Sequence, residues 1–436
     1  MNKSEILAEV RDYIDNKEPK RFIPGKSYIP ATSPTIGSDD ISMVVSAALD
    51  GWFTEGKQTK EFKRLLAKKL GMHYVQLTNS GSSASLLAIR AMEEQNSMPY
   101  VITTALNFPT TISMLYTSLY WHAPLFIDID PYTLTPNLYQ LGELYDEFKG
   151  KIAGVILPHT LGFPFEESKV REIIGDEVLF ITDCCDALGA YTKNNGLIRH
   201  VGYYADYATL SFFPAHHITT GEGGAVLTNH PLKAEIVRSL ANWGRDCYCL
   251  PGQTDTCGMR FEHPSAIDLP KGWDHKYTFT RIGYNLKMTE LQAALGVSQI
   301  MASQAFFVLR KANFDYIKHG LSDLKHYLQF VMLPDWSIPS PFGFPILVNA
   351  NRNFSSSELI AFLEKNKIRT RRFFGGNIIK QPAFSEQPRL IADTLKGTDW
   401  IMEGGFWIGC QQSLTIEMLD YMIDIFHKFF KEQNLK

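Results

Sequence analysis

Between residues 74 and 228 the chain alternates two patterns. Short, almost wholly apolar runs lie at 74–77, 100–106, 125–129, 152–157 and 178–184. Between them, at 82–94, 110–119, 138–148 and 167–174, apolar residues recur every three or four positions. Runs without a polar face read as strands covered on both sides, and the three-to-four spacing reads as helices. Two further strands, 207–213 and 225–228, complete the series. Strand and helix in regular alternation imply an α/β fold with a mainly parallel central sheet, whose ligands sit at the carboxyl ends of the strands.

The flanks read differently. Residues 1–36 form a helix and then a Pro-rich arm, and helices follow at 39–49 and 59–70. A helix at 232–243 leads into a loop, 245–260, rich in Gly, Pro, Thr and Cys. One long helix, 289–317, bridges to a smaller α/β domain with strands at 344–348 and 368–373 and helices at 356–366 and 416–431. The expected division is therefore an arm (1–36), a large domain (37–300) that includes the loop 245–260, and a small C-terminal domain (301–436).

Composition adds exclusions. The chain of 436 residues is 45% hydrophobic and 20% charged, with net charge −3 and no basic block, so nucleic acid is not an expected partner. No apolar run of membrane-spanning length and no signal-peptide core stand out, so a cytoplasmic location is expected. There the six cysteines are expected to be free, catalytic or metal-bound rather than paired.

Four features fall at strand ends. TNSGSSAS (78–85) places the amides of Gly81 and Ser82 at a helix start, an anion site suited to a phosphate, or else an ordinary Ser-capped helix. Phe108, after the strand at 100, offers an aromatic face or a core side chain. Asp183 closes an apolar strand, where a carboxylate needs a cation, strong donors, or a turn to cap. SFFPAHHITTGEGGAV (211–226) is a strand pair whose loop presents Ser211, His216 and His217; alone it is equally a hairpin with two satisfied histidines. Together, a phosphate cradle, a stacking face, a carboxylate and a reactive loop side chain suit a pyridoxal-type cofactor.

NSGSSAS, TDCCDALGA, SFFPAHHITTGEGGA and RIGYNLKMTELQAA resemble, in order, motifs of the DegT/DnrJ/EryC1/StrS sugar aminotransferases. The resemblance runs from about residue 22 to the end. It implies the aspartate aminotransferase fold (PLP-dependent transferase type I). It also implies Asp183 at the pyridine nitrogen, Phe108 on the ring, and Gly81, Ser82 and Ser211 at the phosphate. Asn285 would reach the phosphate of a second subunit, so a homodimer is implied.

One position departs from the pattern. The family carries a lysine five residues after the serine of this motif; here that residue is His216. A lysine would form a Schiff base with the aldehyde cofactor, and an imidazole does not. The resemblance therefore shifts to the sugar 3-dehydratase branch, with pyridoxamine 5′-phosphate (PMP) held non-covalently and His216 as proton-moving base. His217 is expected to be structural. Cys185 together with Cys247, Cys249 and Cys257 resembles the ligand set of the members of that branch that act on CDP-4-keto-6-deoxyglucose and carry a 2Fe–2S cluster. Zinc, or no metal, is the alternative, and Cys184 is the rival to Cys185. Relative to the family, 193–200 reads as a surface-loop insertion, and Cys410 as a small buried hydrophobe.

The reaction implied is loss of the C3 hydroxyl from a nucleotide-linked 4-keto-6-deoxyhexose. Two electrons would come from a separate NADH-dependent flavin and iron–sulfur reductase. The setting implied is 3,6-dideoxysugar biosynthesis, for lipopolysaccharide O-antigen or a glycosylated metabolite. A cluster-free dehydratase regenerated by glutamate, and an ordinary aminotransferase, stay open.

Overall fold

A computed structural model describes all residues except 19, 20, 121, 265–267, 350–353 and 434–436. Its centre is an eight-stranded sheet in the spatial order Tyr74–Thr78, Gly224–Thr228, Tyr207–Ser211, Leu179–Asp183, Ile152–Pro158, Tyr100–Thr104, Ala123–Ile127, Leu390–Ile391. Gly224–Thr228 runs antiparallel to both its neighbours, and the remaining pairs are parallel. The apolar runs end up here because helices cover both faces: Ile152–Pro158 is buried at every position. The edge strand Leu390–Ile391 comes from the C-terminal third of the chain, and position 300 falls inside a helix, Glu290–Gly320.

That helix begins where the sequence allows it to. Thr289 and Gln292 form a reciprocal capping box. Next to them, the Glu290 carboxylate accepts the amides of Gly56, Gln58 and Thr59, at 2.7–2.8 Å, and so caps a second helix, Lys57–Leu70. Against the sequence expectation, Glu290–Gly320 is apolar and long enough to cross a membrane by length and composition alone. Many of its apolar residues are instead core, Ala293 and Val297 packing in the large domain and Phe314 and Ile317 in the small one, while Met301 and Val308 are exposed.

The smaller unit is a four-stranded antiparallel sheet, Leu328–Phe330, Phe344–Val348, Gly405–Ile408 and Thr370–Arg371, packed on Ser356–Lys365 and Ile416–Glu432. The N-terminal arm is threaded into it. Ile29 exchanges backbone bonds with Lys367 and Arg369, and Gln411 and Gln412 hold the Pro30 carbonyl and the Thr35 hydroxyl. The arm passes so close that a Cβ on Gly409 would lie 2.6 Å from the Pro30 oxygen.

The insertion expected as a loop at 193–200 is instead a hairpin, Tyr191–Asn194 with Leu197–His200, extended by Ser337–Ile338. Asn195 and Gly196 both have positive φ, 48° and 79°, the turn that suits twisted strands.

One buried ion cluster gives a stability test. Glu93 lies against Arg90, His122 and Ser118. Burial would raise its carboxyl, but these three donors outweigh it and bring it from 4.5 to about 2. The stabilisation is therefore complete above about pH 4.5 and fades as pH falls toward 2. Glu93→Gln, which leaves the buried Arg90 only the Glu94 carboxylate 3.6 Å away, is expected to cost about 3 kcal/mol at pH 7. Urea melts should show the gap between variant and wild type closing below pH 4.5.

Candidate active site

A cavity of about 490 Å³ opens at the carboxyl ends of the central strands. Gly81, Ser82 and Ser211, the residues expected to meet a phosphate, line it. Ser80 caps the helix Gly81–Glu93 by accepting the Ser83 amide at 3.0 Å, and the first amides of that helix, Gly81 and Ser82, have no intrahelical partner. Both residues line the cavity. A Cβ on Gly81 would lie 2.5 Å from the Ser211 Cβ, and one on Gly224 would lie 2.5 Å from the Ser80 oxygen. Glycine at both places lets the strand pair press against the helix start, leaving backbone amides and the Ser211 hydroxyl as the surface an anion meets.

Asp183 sits at the last position of its strand. Its Oδ1 accepts the Cys185 amide at 3.0 Å and the Thr209 hydroxyl at 3.2 Å. Those bonds hold the carboxylate toward the cavity, with the second oxygen left to meet a cationic ring nitrogen. Phe108 precedes the helix Pro109–Thr117 and is 51% exposed at the cavity wall, available for stacking. Phosphate cradle, carboxylate and aromatic face thus occur in one cavity of suitable size, and the residues present fit a pyridoxal-type cofactor.

His216 lines the same cavity, with its ring 5.2 Å from that of Phe342. Its Nδ1 lies 3.4 Å from Oδ1 of Asp186. Burial, with the Arg310 charge, brings the imidazole down to about 3, so the ring is neutral and keeps a lone pair at neutral pH. Burial and the Asp183 charge push Asp186 up to about 8. Arg310 is wholly buried and donates to the carbonyls of His216, Pro341 and Phe342 and to Gln412. It joins the His216 loop to the small domain. His217 is structural as expected, bonded to the Ser340 carbonyl at 2.9 Å.

The cysteines divide. Cys184 is fully buried under Val201 and Ala208, while Cys185 lines the cavity, as alternation along the chain requires. Cys247, Cys249 and Cys257 converge elsewhere, in a small pocket with Arg260, His275 and Lys276. Each sulfur accepts an amide at 3.4 Å: Cys247 that of Cys249, Cys249 that of Thr256, Cys257 that of Met259. Burial would raise the Cys249 thiol, but the Thr256 hydroxyl and amide, Cys247 and the Lys276 charge bring it below its ordinary value. The three cysteines line one small pocket and each sulfur meets an amide donor, as thiolate ligands do, while burial raises the Cys247 thiol above its ordinary value. Cys410 is a buried core residue, as expected. Asn285 lies outside the cavity, exposed, with its Oδ1 held by Lys287 at 2.6 Å.

A profile of the DegT/DnrJ/EryC1/StrS aminotransferase family matches residues 34–427. The chain belongs to that family. It is 41% identical over 436 residues to the lipopolysaccharide biosynthesis protein RfbH of Salmonella typhimurium, covering 98% of this chain and 97% of that one. It is 39% identical over 437 residues to the dTDP-4-dehydro-2,6-dideoxy-D-glucose 3-dehydratase of Saccharopolyspora spinosa, covering 98% and 92%. The fold is shared with E. coli GDP-4-keto-6-deoxy-D-mannose-3-dehydratase with bound hydrated PLP, at TM-score 0.77 and 24% identity over 92% of this chain and 99% of that one. This is the type I fold expected, and the family supports a PLP or PMP cofactor.

Within the family's fold, the structure gathers Gly81, Ser82, Phe108, Asp183, Ser211, His216 and Cys185 around one cavity. It places Asn285 and the other three cysteines outside it. Two contributors went unmarked in the sequence. Asp186 stands beside Cys185, and its signal was a second carboxylate three residues after Asp183. Arg371 reaches the cavity from the small domain, and no local pattern announces it.

Proposed function

We propose that this chain is a PMP-dependent dehydratase that removes the C3 hydroxyl of a nucleotide-linked, CDP-type 4-keto-6-deoxyhexose. The reading rests on one observation: a neutral imidazole, not a lysine, faces the cofactor cavity at position 216. Names of the 3-dehydratase and lipopolysaccharide relatives support the same reading.

Gly81, Ser82 and Ser211 hold the phosphate, Phe108 stacks on the ring, and Asp183 keeps the pyridine nitrogen protonated. When bound, that protonated ring supplies an electron sink for chemistry at the sugar. His216 takes a proton from the cofactor's methylene carbon, which needs the unprotonated ring that burial provides. Arg371, at the small-domain wall, meets the negative diphosphate of the nucleotide. Phe342 and Trp407 narrow the same wall and exclude water. Overall the C3–O bond breaks and a C3–H bond forms, with two electrons and two protons consumed and the oxygen leaving as water. Cys185, Cys247, Cys249 and Cys257 would hold a 2Fe–2S centre, which would supply one-electron transfer from an NADH-dependent flavin and iron–sulfur reductase. Asn285 completes the phosphate site of a second subunit in a homodimer. The product class is a 3,6-dideoxy-4-keto sugar, for lipopolysaccharide O-antigen or a glycosylated metabolite.

Iron and acid-labile sulfide in anaerobically reconstituted protein test the centre. About two of each per chain are expected, and a clean absence overturns it. Asp183→Asn, which removes the charge but keeps the shape, is expected to lower turnover of PMP-loaded enzyme by about 10²–10³. Single-turnover assays on a nucleotide 4-keto-6-deoxyhexose check this, and unchanged turnover would remove Asp183 from the mechanism.

A further inference from the structure

The four cysteines assigned to one cluster do not meet within one chain. Cys185 follows the Leu179–Asp183 strand, at the carboxyl-end cavity. Cys249 lies at the sheet's far edge, in a groove lined by Tyr74, Val75 and Gln76 at the start of the edge strand. The two strands are separated by two others, Gly224–Thr228 and Tyr207–Ser211. Three strand spacings amount to about 14 Å, and the two sites also lie toward opposite ends of the strands. Four sulfurs bonded to one small cluster cannot be held that far apart.

The loop bearing the other three thiols has a further property. Its base is fixed, by bridges of Asn242 with Asn285 and of Arg245 with Phe279. Around that base it exposes large apolar side chains: Tyr248 is 49% exposed, Phe261 53%, Tyr277 56%, Phe279 51% and Ile282 73%, with Arg245 lying over Tyr277 and Phe279 and Arg260 over Phe261. So dense an apolar face on one rigidly based excursion marks a surface that another protein covers. The occupant is identified by what the site lacks. Three thiols need a fourth, and an otherwise unplaced thiol, Cys185, lines an open cavity on every copy of this chain. A two-fold operation makes such a contact twice, so each copy gives its loop and receives its partner's.

We propose that the cluster is assembled in trans: Cys247, Cys249 and Cys257 of one subunit and Cys185 of a second copy ligate one 2Fe–2S centre across the dimer interface. The proposal rests on the cluster reading above, and it goes further by making the metal site a property of the dimer. It also brings the centre beside the cofactor cavity, since Cys185 is a wall of that cavity. Among the described residues of a single chain, the cysteine pocket and the cofactor cavity share no lining residue.

Mixed dimers test it. Chains carrying Cys185→Ser and Cys257→Ser, each with a different affinity tag, are co-expressed, and the heterodimer is isolated by tandem purification. Iron, sulfide and the electron paramagnetic resonance of the dithionite-reduced sample are read after anaerobic reconstitution, with circular dichroism and the melting temperature as controls for folding. In trans, the heterodimer keeps one complete site and loses the other, so it holds about two irons per dimer against about four in the wild type, and each mutant homodimer holds none. An iron-free heterodimer beside a loaded wild type overturns the trans assignment and leaves the cluster standing. A Cys185→Ser homodimer that still loads fully overturns it too, and points to a fourth ligand inside the loop, where His275 Nδ1 lies 3.8 Å from the Cys257 sulfur. An iron-free wild type removes cluster and proposal together.

Discussion

His216→Lys is expected to change the cofactor's mode of attachment and to stop dehydration. The side chain enters the cavity from a loop fixed at both ends: Ser211 ends one strand, Gly224 begins the next, and Arg310 holds the His216 carbonyl. A lysine at that place would share the burial that brings the imidazole to about 3, and burial favours the uncharged amine that attacks an aldehyde. On adding pyridoxal 5′-phosphate, the variant should therefore gain a new absorption band and a bond that borohydride reduces. Wild type should show neither. Turnover of a 4-keto-6-deoxyhexose should fall by about 10²–10⁴, the worth of a positioned general base. A reducible bond in the wild type, or full dehydration by the variant, would remove His216 from the role given to it.

Arg310→Met is expected to be the most destabilising single change near the site, at about 3–5 kcal/mol. The guanidinium is buried, and its partners are three carbonyl oxygens and the Gln412 amide oxygen. Methionine fills much of the space but donates nothing, and so strands those acceptors in the core. The carbonyls belong to the cofactor loop and to the segment that carries Phe342. Affinity for PMP should therefore fall along with the melting temperature. Calorimetry of the apo and PMP-loaded forms separates the two losses. A melting temperature within a degree of wild type would show that the loop is held by something else.

Much of this architecture was legible in the sequence, and the reasons are physical. Strands such as Ile152–Pro158 announce themselves because burial on both faces leaves no polar alternation. Gly81 and Gly224 were legible as loop glycines, but the reason for them is a contact with Ser211 and Ser80 from other strands. The 193–200 segment was misread because it was judged by comparison with relatives, while its own Asn195-Gly196 pair is a strong local turn signal. Asp186 and Arg371 show the opposite limit. One is a carboxylate whose meaning depends on the His216 imidazole 3.4 Å away, the other a cation brought in by a separate sheet. The division of the cysteines was illegible for the same reason: spacing along a chain says nothing about which strand lies between two loops.

The threaded N-terminal arm carries a consequence for how the molecule is made. Ile29, Pro30 and Thr35 are synthesised well before their partners at Lys367, Arg369, Gln411 and Gln412. At about 5–20 residues per second, the arm waits tens of seconds before its place exists. The large domain can condense around its sheet meanwhile, but the arm closes over the small domain only once Gln411 and Gln412 have emerged. Nascent chains stalled before residue 409 should therefore leave the arm open to protease, and chains released in full should protect it.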